Sequence, residues 1–291
     1  MGVGKVSSSQ VRATQQKTVE APKPKTTQAA QDTKKAGWGQ GAPKATSLKI
    51  TMATIDEGPK TTQNIQVPKG YTASLKNDSM KLSDKVGDKA ASYEQDVAHL
   101  TVKNPAGKSV ELWAEGASDF SGDWKEEVAA QKKDPSEFAM LDWSYGRSLS
   151  GVGTAGKMMS VQENANDYMG GAHPNHATTV RTYDASTGKQ VKLEDLLSQQ
   201  QMNSLVNDLS KKLGSMKGPD DIGPESFNFG GDKAAIRNMI NENFALVADK
   251  SGKVKIDISW DSGVHALGGL LGHVQVEAPT DSAFRAKIGL E

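Results

Sequence analysis

The residues with the clearest chemical potential are two imidazoles. In His173-Pro174-Asn175-His176 they stand three positions apart, a spacing at which both can meet one divalent cation on a turn, with Asp167 or Glu163 supplying oxygen. Zinc usually takes a third and a fourth ligand. The chain holds three further histidines, His99, His265 and His273, and nothing in the sequence brings them to the pair. Pro174 argues against a helical His-Glu-x-x-His motif, because a helix rarely continues just before proline. A structural role is therefore expected in place of a metal site: Gly170 and Gly171 permit positive φ or close backbone approach, and His173 hydrogen-bonds its loop.

Other catalytic patterns are weaker. Ser148-Leu149-Ser150-Gly151 approximates a nucleophile elbow but lacks its first glycine. Gly151-Val152-Gly153-Thr154-Ala155-Gly156 has the letters of a dinucleotide fingerprint without the helix pattern that should follow, so a flexible loop is expected there. Carboxylates are plentiful, but sequence does not say which two approach each other. With no cysteine in the chain, disulfides, thiolate metal sites and cysteine nucleophiles are excluded.

Aromatic residues give another handle. Trp113, Trp124, Trp143 and Trp260 can stack on a ligand, although a tryptophan at strand or helix spacing is more often core. Trp143 and Tyr145 are the pair whose exposure most needs testing. The turn from Trp260 to Gly268 joins an aromatic and His265 to Gly263 and the Gly268-Gly269 pair, which fits a partner-binding edge. The candidate binding residues are thus Tyr168, Gly170, Gly171, His173, His176, Trp260 and His265. No catalytic residue and no cofactor is assigned.

These residues need elements to hold them. Leu48, Ile50 and Met52 alternate as in a half-buried strand, and Ala98 to Val102 with Val110 to Ala114 read as a hairpin around Asn104-Pro105-Ala106-Gly107. Ser121 can cap a helix through Trp124, Val128 and Ala129 that ends at Asp134-Pro135. Strands are expected at Lys157 to Val161 and His176 to Tyr183, the latter returning through Val191. One helix is expected from Leu193 to Leu213 with Gly214 as its C-terminal cap, and a second through Ala235, Ile236, Met239, Ile240 and Phe244. Val254 to Trp260 and Val274 to Ala278 alternate strictly and read as neighbouring strands. The turns are hairpin turns, so the expected class is α+β, mainly an antiparallel sheet with helices packed on one face.

Charge divides the chain. It carries 35 basic and 35 acidic residues, which gives no reason to propose a nucleic-acid partner. Residues 1–46, however, hold eight Lys or Arg against Glu20 and Asp32, in a Lys/Thr/Gln/Ala/Pro/Ser context that reads as a disordered basic leader. Residues 47–155 and 156–291 are read as two α+β regions. No apolar run approaches a membrane span or a classical signal peptide, and Val6 occupies the place where myristoylation wants Ser or Thr.

The second region resembles a known family. Tyr168-Met169-Gly170-Gly171-Ala172-His173, then Tyr183-Asp184, Thr187-Gly188-Lys189 and Leu193-Glu194-Asp195-Leu196-Leu197, are similar to the extracytoplasmic domain of RsiV-type anti-sigma factors, a domain type that also accompanies PdaC-type peptidoglycan deacetylases. The resemblance covers roughly residues 156 to 280. It implies a non-catalytic bacterial binding module of the cell envelope or exterior, recognising a lysozyme-like protein or a cell-wall polymer. Two alternatives stay open: a metal-dependent hydrolase using His173 and His176, and a cytoplasmic protein-interaction domain.

Overall fold

The computed structural model describes residues 47–112, 119–135, 140–219, 222–263 and 269–290. The leader expected over 1–46 lies outside them, as do Trp113 and His265. Residues 45–291 belong to one compact unit, and the class is α+β, with the antiparallel sheets that the alternating runs predict.

Two sheets form the frame. The smaller contains β1 (Ile50–Asp56), β11 (Leu271–Glu277), β10 (Val254–Asp261) and β9 (Phe244–Ala248), in that order and antiparallel throughout. The larger runs β2 (Thr72–Val86), β3 (Lys89–Lys103), β5 (Asp142–Ala155), β6 (Met158–Tyr168), β7 (Asn175–Asp184) and β8 (Lys189–Gln190), with β4 (Ser109–Leu112) paired to β3. Only its β3–β5 pairing is parallel among the described strands.

Strict alternation places the core of the small sheet. Ile256 stands opposite Val276 and Ile258 opposite Val274, and all four pack against α2 (Leu193–Leu196), α3 (Gln199–Leu213), α4 (Lys233–Glu242) and α5 (Ser282–Ile288). The remaining helix, α1 (Ser121–Lys133), sits on the long β2–β3 hairpin, where Trp124 and Val128 pack with Tyr93 and Ala91. No described helix is long and apolar enough to cross a membrane.

Four expectations need correction. Ser121 is the first residue of α1 and not its cap; Phe120 holds that position, without a side-chain hydrogen bond. The helix expected from 193 to 213 is two helices, because Leu197 turns extended and Ser198 starts afresh: its hydroxyl accepts from Gln201 N at 3.2 Å while Gln201 Oε1 accepts from Ser198 N at 2.8 Å. That Ser-x-x-Gln box outweighs the continuous leucine spacing. Phe244 belongs to β9 and not to the preceding helix, which Asn243 ends. The glycine-rich run 151–156 is no flexible loop; it is the last part of β5 and its turn into β6. Glycine is needed there for close approach. A Cβ on Gly151 would lie 2.9 Å from the Asn64 carbonyl, and one on Gly153 would lie 3.0 Å from the Val247 side chain.

The sheets meet through β9, the outer strand of the small sheet. Ser160 Oγ accepts from Leu246 N at 2.8 Å, and Thr182 Oγ1 donates to Phe244 O at 2.8 Å. Two fully buried hydroxyls of the large sheet thereby satisfy backbone groups that no neighbouring strand reaches.

Candidate binding site at the tip of a hairpin

The Tyr168 to His176 motif is the tip of the β6–β7 hairpin. β6 and β7 pair from Met158–Asp184 out to Asp167–Asn175, so the ladder delivers Tyr168 and the two glycines to its open end. Tyr168 braces the turn: its hydroxyl donates to Gly171 O at 2.9 Å and also meets Met140 Sδ at 3.0 Å. Asn175 Nδ2 donates to Asp167 Oδ2 at 2.9 Å and ties the base. Gly170 has φ +79° and Gly171 φ +127°, and a Cβ on Gly170 would lie 2.8 Å from the Met140 carbonyl. Positive φ thus accounts for both glycines and close approach for the first.

His173 and His176 are both exposed, His173 in the turn and His176 on β7 opposite Asn166. Among the described residues, no group of three or more His, Asp or Glu is placed to hold a metal ion. The tip also carries side chains that sequence reasoning passed over. Met140 is 56% exposed and Met169 41%, two of the four exposed large hydrophobics among the described residues. Met169 lies inside the motif and its signal was an apolar residue in a turn. Nothing in the sequence placed Met140 beside Tyr168.

Trp260 is elsewhere. It is 3% exposed, and its Nε1 donates to Phe227 O at 3.0 Å inside the helix-side core. The next residue, Asp261, faces the large sheet, where its Oδ2 accepts from Thr178 N at 3.3 Å. Trp124 is also core, with Nε1 donating to Leu141 O at 2.8 Å. Tyr145 is buried edge-on against Phe120, whereas Trp143 is half-buried and donates to Met140 O at 3.1 Å. Of the described aromatics singled out, only Tyr168 and Trp143 reach the tip region.

A second cluster lies on the small sheet's inward polar face. His273 is buried, with Nδ1 3.1 Å from Asp56 Oδ1 and Nε2 3.7 Å from Asp257 Oδ1. Gln275 Nε2 donates to the same Asp257 oxygen at 2.8 Å. Burial pushes the imidazole pKa down, but the hydrogen bonding and charge of Asp257 and Asp56 outweigh it, and the net shift is upward from 6.5. The folded state therefore holds this proton more tightly than the unfolded chain. Its contribution to stability is fully present below pH 6.5 and is lost as pH rises through the folded value. The thermal midpoint is expected to fall as pH increases across that window, and His273→Gln is expected to flatten the slope. A slope unchanged by the substitution would contradict the assignment.

The geometry defines an α+β protein with an exposed, braced hairpin tip. No family model matches this chain, and no curated protein matches it in sequence. Among the solved structures similar to it are two DUF3298 family proteins. One, from Bacteroides fragilis, shares 18% identity over 72% of this chain and 91% of its own, with a TM-score of 0.40. The other, from Pseudomonas aeruginosa, shares 11% over the same proportions, with a TM-score of 0.34. At TM-scores this low the likeness carries no argument about function.

Proposed function

We propose that this protein is a non-catalytic binding module that takes a protein ligand on the β6–β7 tip. The observation that carries the reading is an exposed turn: Met169 is open to solvent on it, Tyr168 braces it by donating to Gly171 O, and the exposed Met140 lies against the Tyr168 hydroxyl. Methionine adapts its shape to an incoming surface, and an aromatic with a polar tip suits an interface rim. A braced turn loses little freedom on binding.

The ligand class follows from the resemblance of residues 156 to 280 to lysozyme-binding domains, whose Tyr-x-Gly-Gly-Ala-His stretch here forms this exposed tip. We assign a lysozyme-like protein of the cell envelope or exterior as partner. Biolayer interferometry of the full chain against immobilised lysozyme tests it, with Met169→Glu as the variant. Saturable binding weakened at least about tenfold by the added charge, with an unchanged thermal midpoint, is the expected result. Wild-type affinity in Met169→Glu moves the contact off the tip, and no binding at all removes lysozyme as the partner.

A further inference from the structure

We propose that a groove across the large sheet is a second binding site, one for a neutral polyhydroxylated chain such as an oligosaccharide. The groove has a volume of about 500 Å³, within the range of small-molecule sites. Strand pairing builds it from a row on each of four neighbouring strands. Ser79 of β2 lies opposite Asp96 and Lys81 opposite Glu94 on β3; Glu94 stands beside Ser144 and Asp96 beside Gly146 on β5; Gly146 faces Asn166 on β6. No aliphatic side chain lines it among the described residues.

Its lysine and one of its carboxylates pair with each other. Lys81 Nζ lies 2.9 Å from Glu94 Oε1, and Asp96 accepts from Ser79 Oγ at 2.8 Å and Asn77 Nδ2 at 3.2 Å. The Arg147 guanidinium is buried on the opposite face of β5, where it donates twice to Ala98 O, at 3.2 and 2.7 Å. An anionic polymer would need free cations, and a peptide held by its side chains would need apolar pockets. The groove's one lysine is already paired, and no aliphatic side chain lines it among the described residues.

What it does offer is uncommitted neutral hydrogen-bonding capacity. The side chains of Ser144, Ser148 and Asn166 make no hydrogen bond with any described residue. Glycine at 146 leaves room for the amide: a Cβ there would lie 2.5 Å from Asn166 Oδ1. Two hydroxyls and a carboxamide, held on rigid strands beside the Lys81–Glu94 ion pair, match the alternating donors and acceptors of a sugar chain. Each such bond is worth about a factor of five in affinity.

The groove goes beyond the tip reading and is tested separately from it. Chito-oligosaccharide and cello-oligosaccharide are titrated into the isotope-labelled full chain, and backbone shifts at β5 and β6 are followed. Saturable shifts with at least one of the two are expected, weakened about fivefold in Asn166→Ala and retained in Met169→Glu. Asn166→Asp, which keeps the side-chain size, serves if the alanine variant fails to fold, and is expected to weaken binding likewise. Absence of saturable shifts with both sugars, or wild-type affinity in the folded Asn166 variant, overturns the proposal. A loss in Met169→Glu equal to that in Asn166→Ala also overturns it, because the sugar would then sit at the tip.

Discussion

Trp260→Ala is expected to destabilise the protein by about 3–5 kcal/mol, the range for emptying a buried aromatic site. The indole is enclosed by the helix-side core, with Phe229 at a ring distance of 6.0 Å. Its removal also leaves the Phe227 carbonyl without its donor. Position 272 shows how closely the ring is held: a Cβ on Gly272 would lie 2.4 Å from the indole carbons Cε2 and Cζ2. Trp260→Phe keeps most of the packing and loses the N–H, so its cost should be about 1 kcal/mol. Urea unfolding monitored by circular dichroism separates the two. A midpoint unmoved by the alanine change would return Trp260 to the list of interface anchors.

Gly156→Ala is expected to cost about 3 kcal/mol, because two penalties coincide at one residue. Its φ is +59°, which L side chains rarely adopt, and an added Cβ would lie 2.0 Å from the carbonyl oxygen of Ile288. That carbonyl also accepts from Lys157 N at 2.8 Å, so the last turn of α5 is fastened to the β5–β6 turn. Relief requires α5 to shift and to disturb Ile288, which is wholly buried. Gly87, in the turn between β2 and β3, has φ +58° with no atom near the Cβ position, and provides the control. Gly87→Ala should cost about 1 kcal/mol from backbone strain alone. Equal losses at the two positions would show that the contact with α5 contributes nothing.

What was legible in the sequence was periodic. Val254 to Trp260 and Val274 to Val276 betrayed both strands and their pairing, since alternation and burial coincide there. The same rule missed β2, whose residues are nearly all exposed and so carry no alternation. It missed β5 because its glycines answer to neighbours far along the chain, the carbonyl of Asn64 and the side chain of Val247. The tip glycines were readable from their chemistry, since positive φ leaves few alternatives. Met140 and the partners of His273 were not: Asp56 is 217 positions away, and its approach is a product of the β1–β11 pairing.

The sealed border of the small sheet bears on how molecules of this protein behave in crowded solution. On one side, β9 has Leu246 N and Phe244 O occupied by Ser160 and Thr182. On the other, Ile55 N of β1 donates to Lys217 O at 2.9 Å, and Thr54 Oγ1 donates to the same oxygen at 3.0 Å. Neither border presents these groups as a template for recruiting a strand from another molecule. The long run that does lie at a sheet margin, β2, carries Lys76, Lys81 and Lys85 among its exposed residues, and lysine on an edge resists the stacking that starts fibrils. The architecture thus guards against self-association by two means, occupied backbone groups where the sheet is buried and lysines where it is wet.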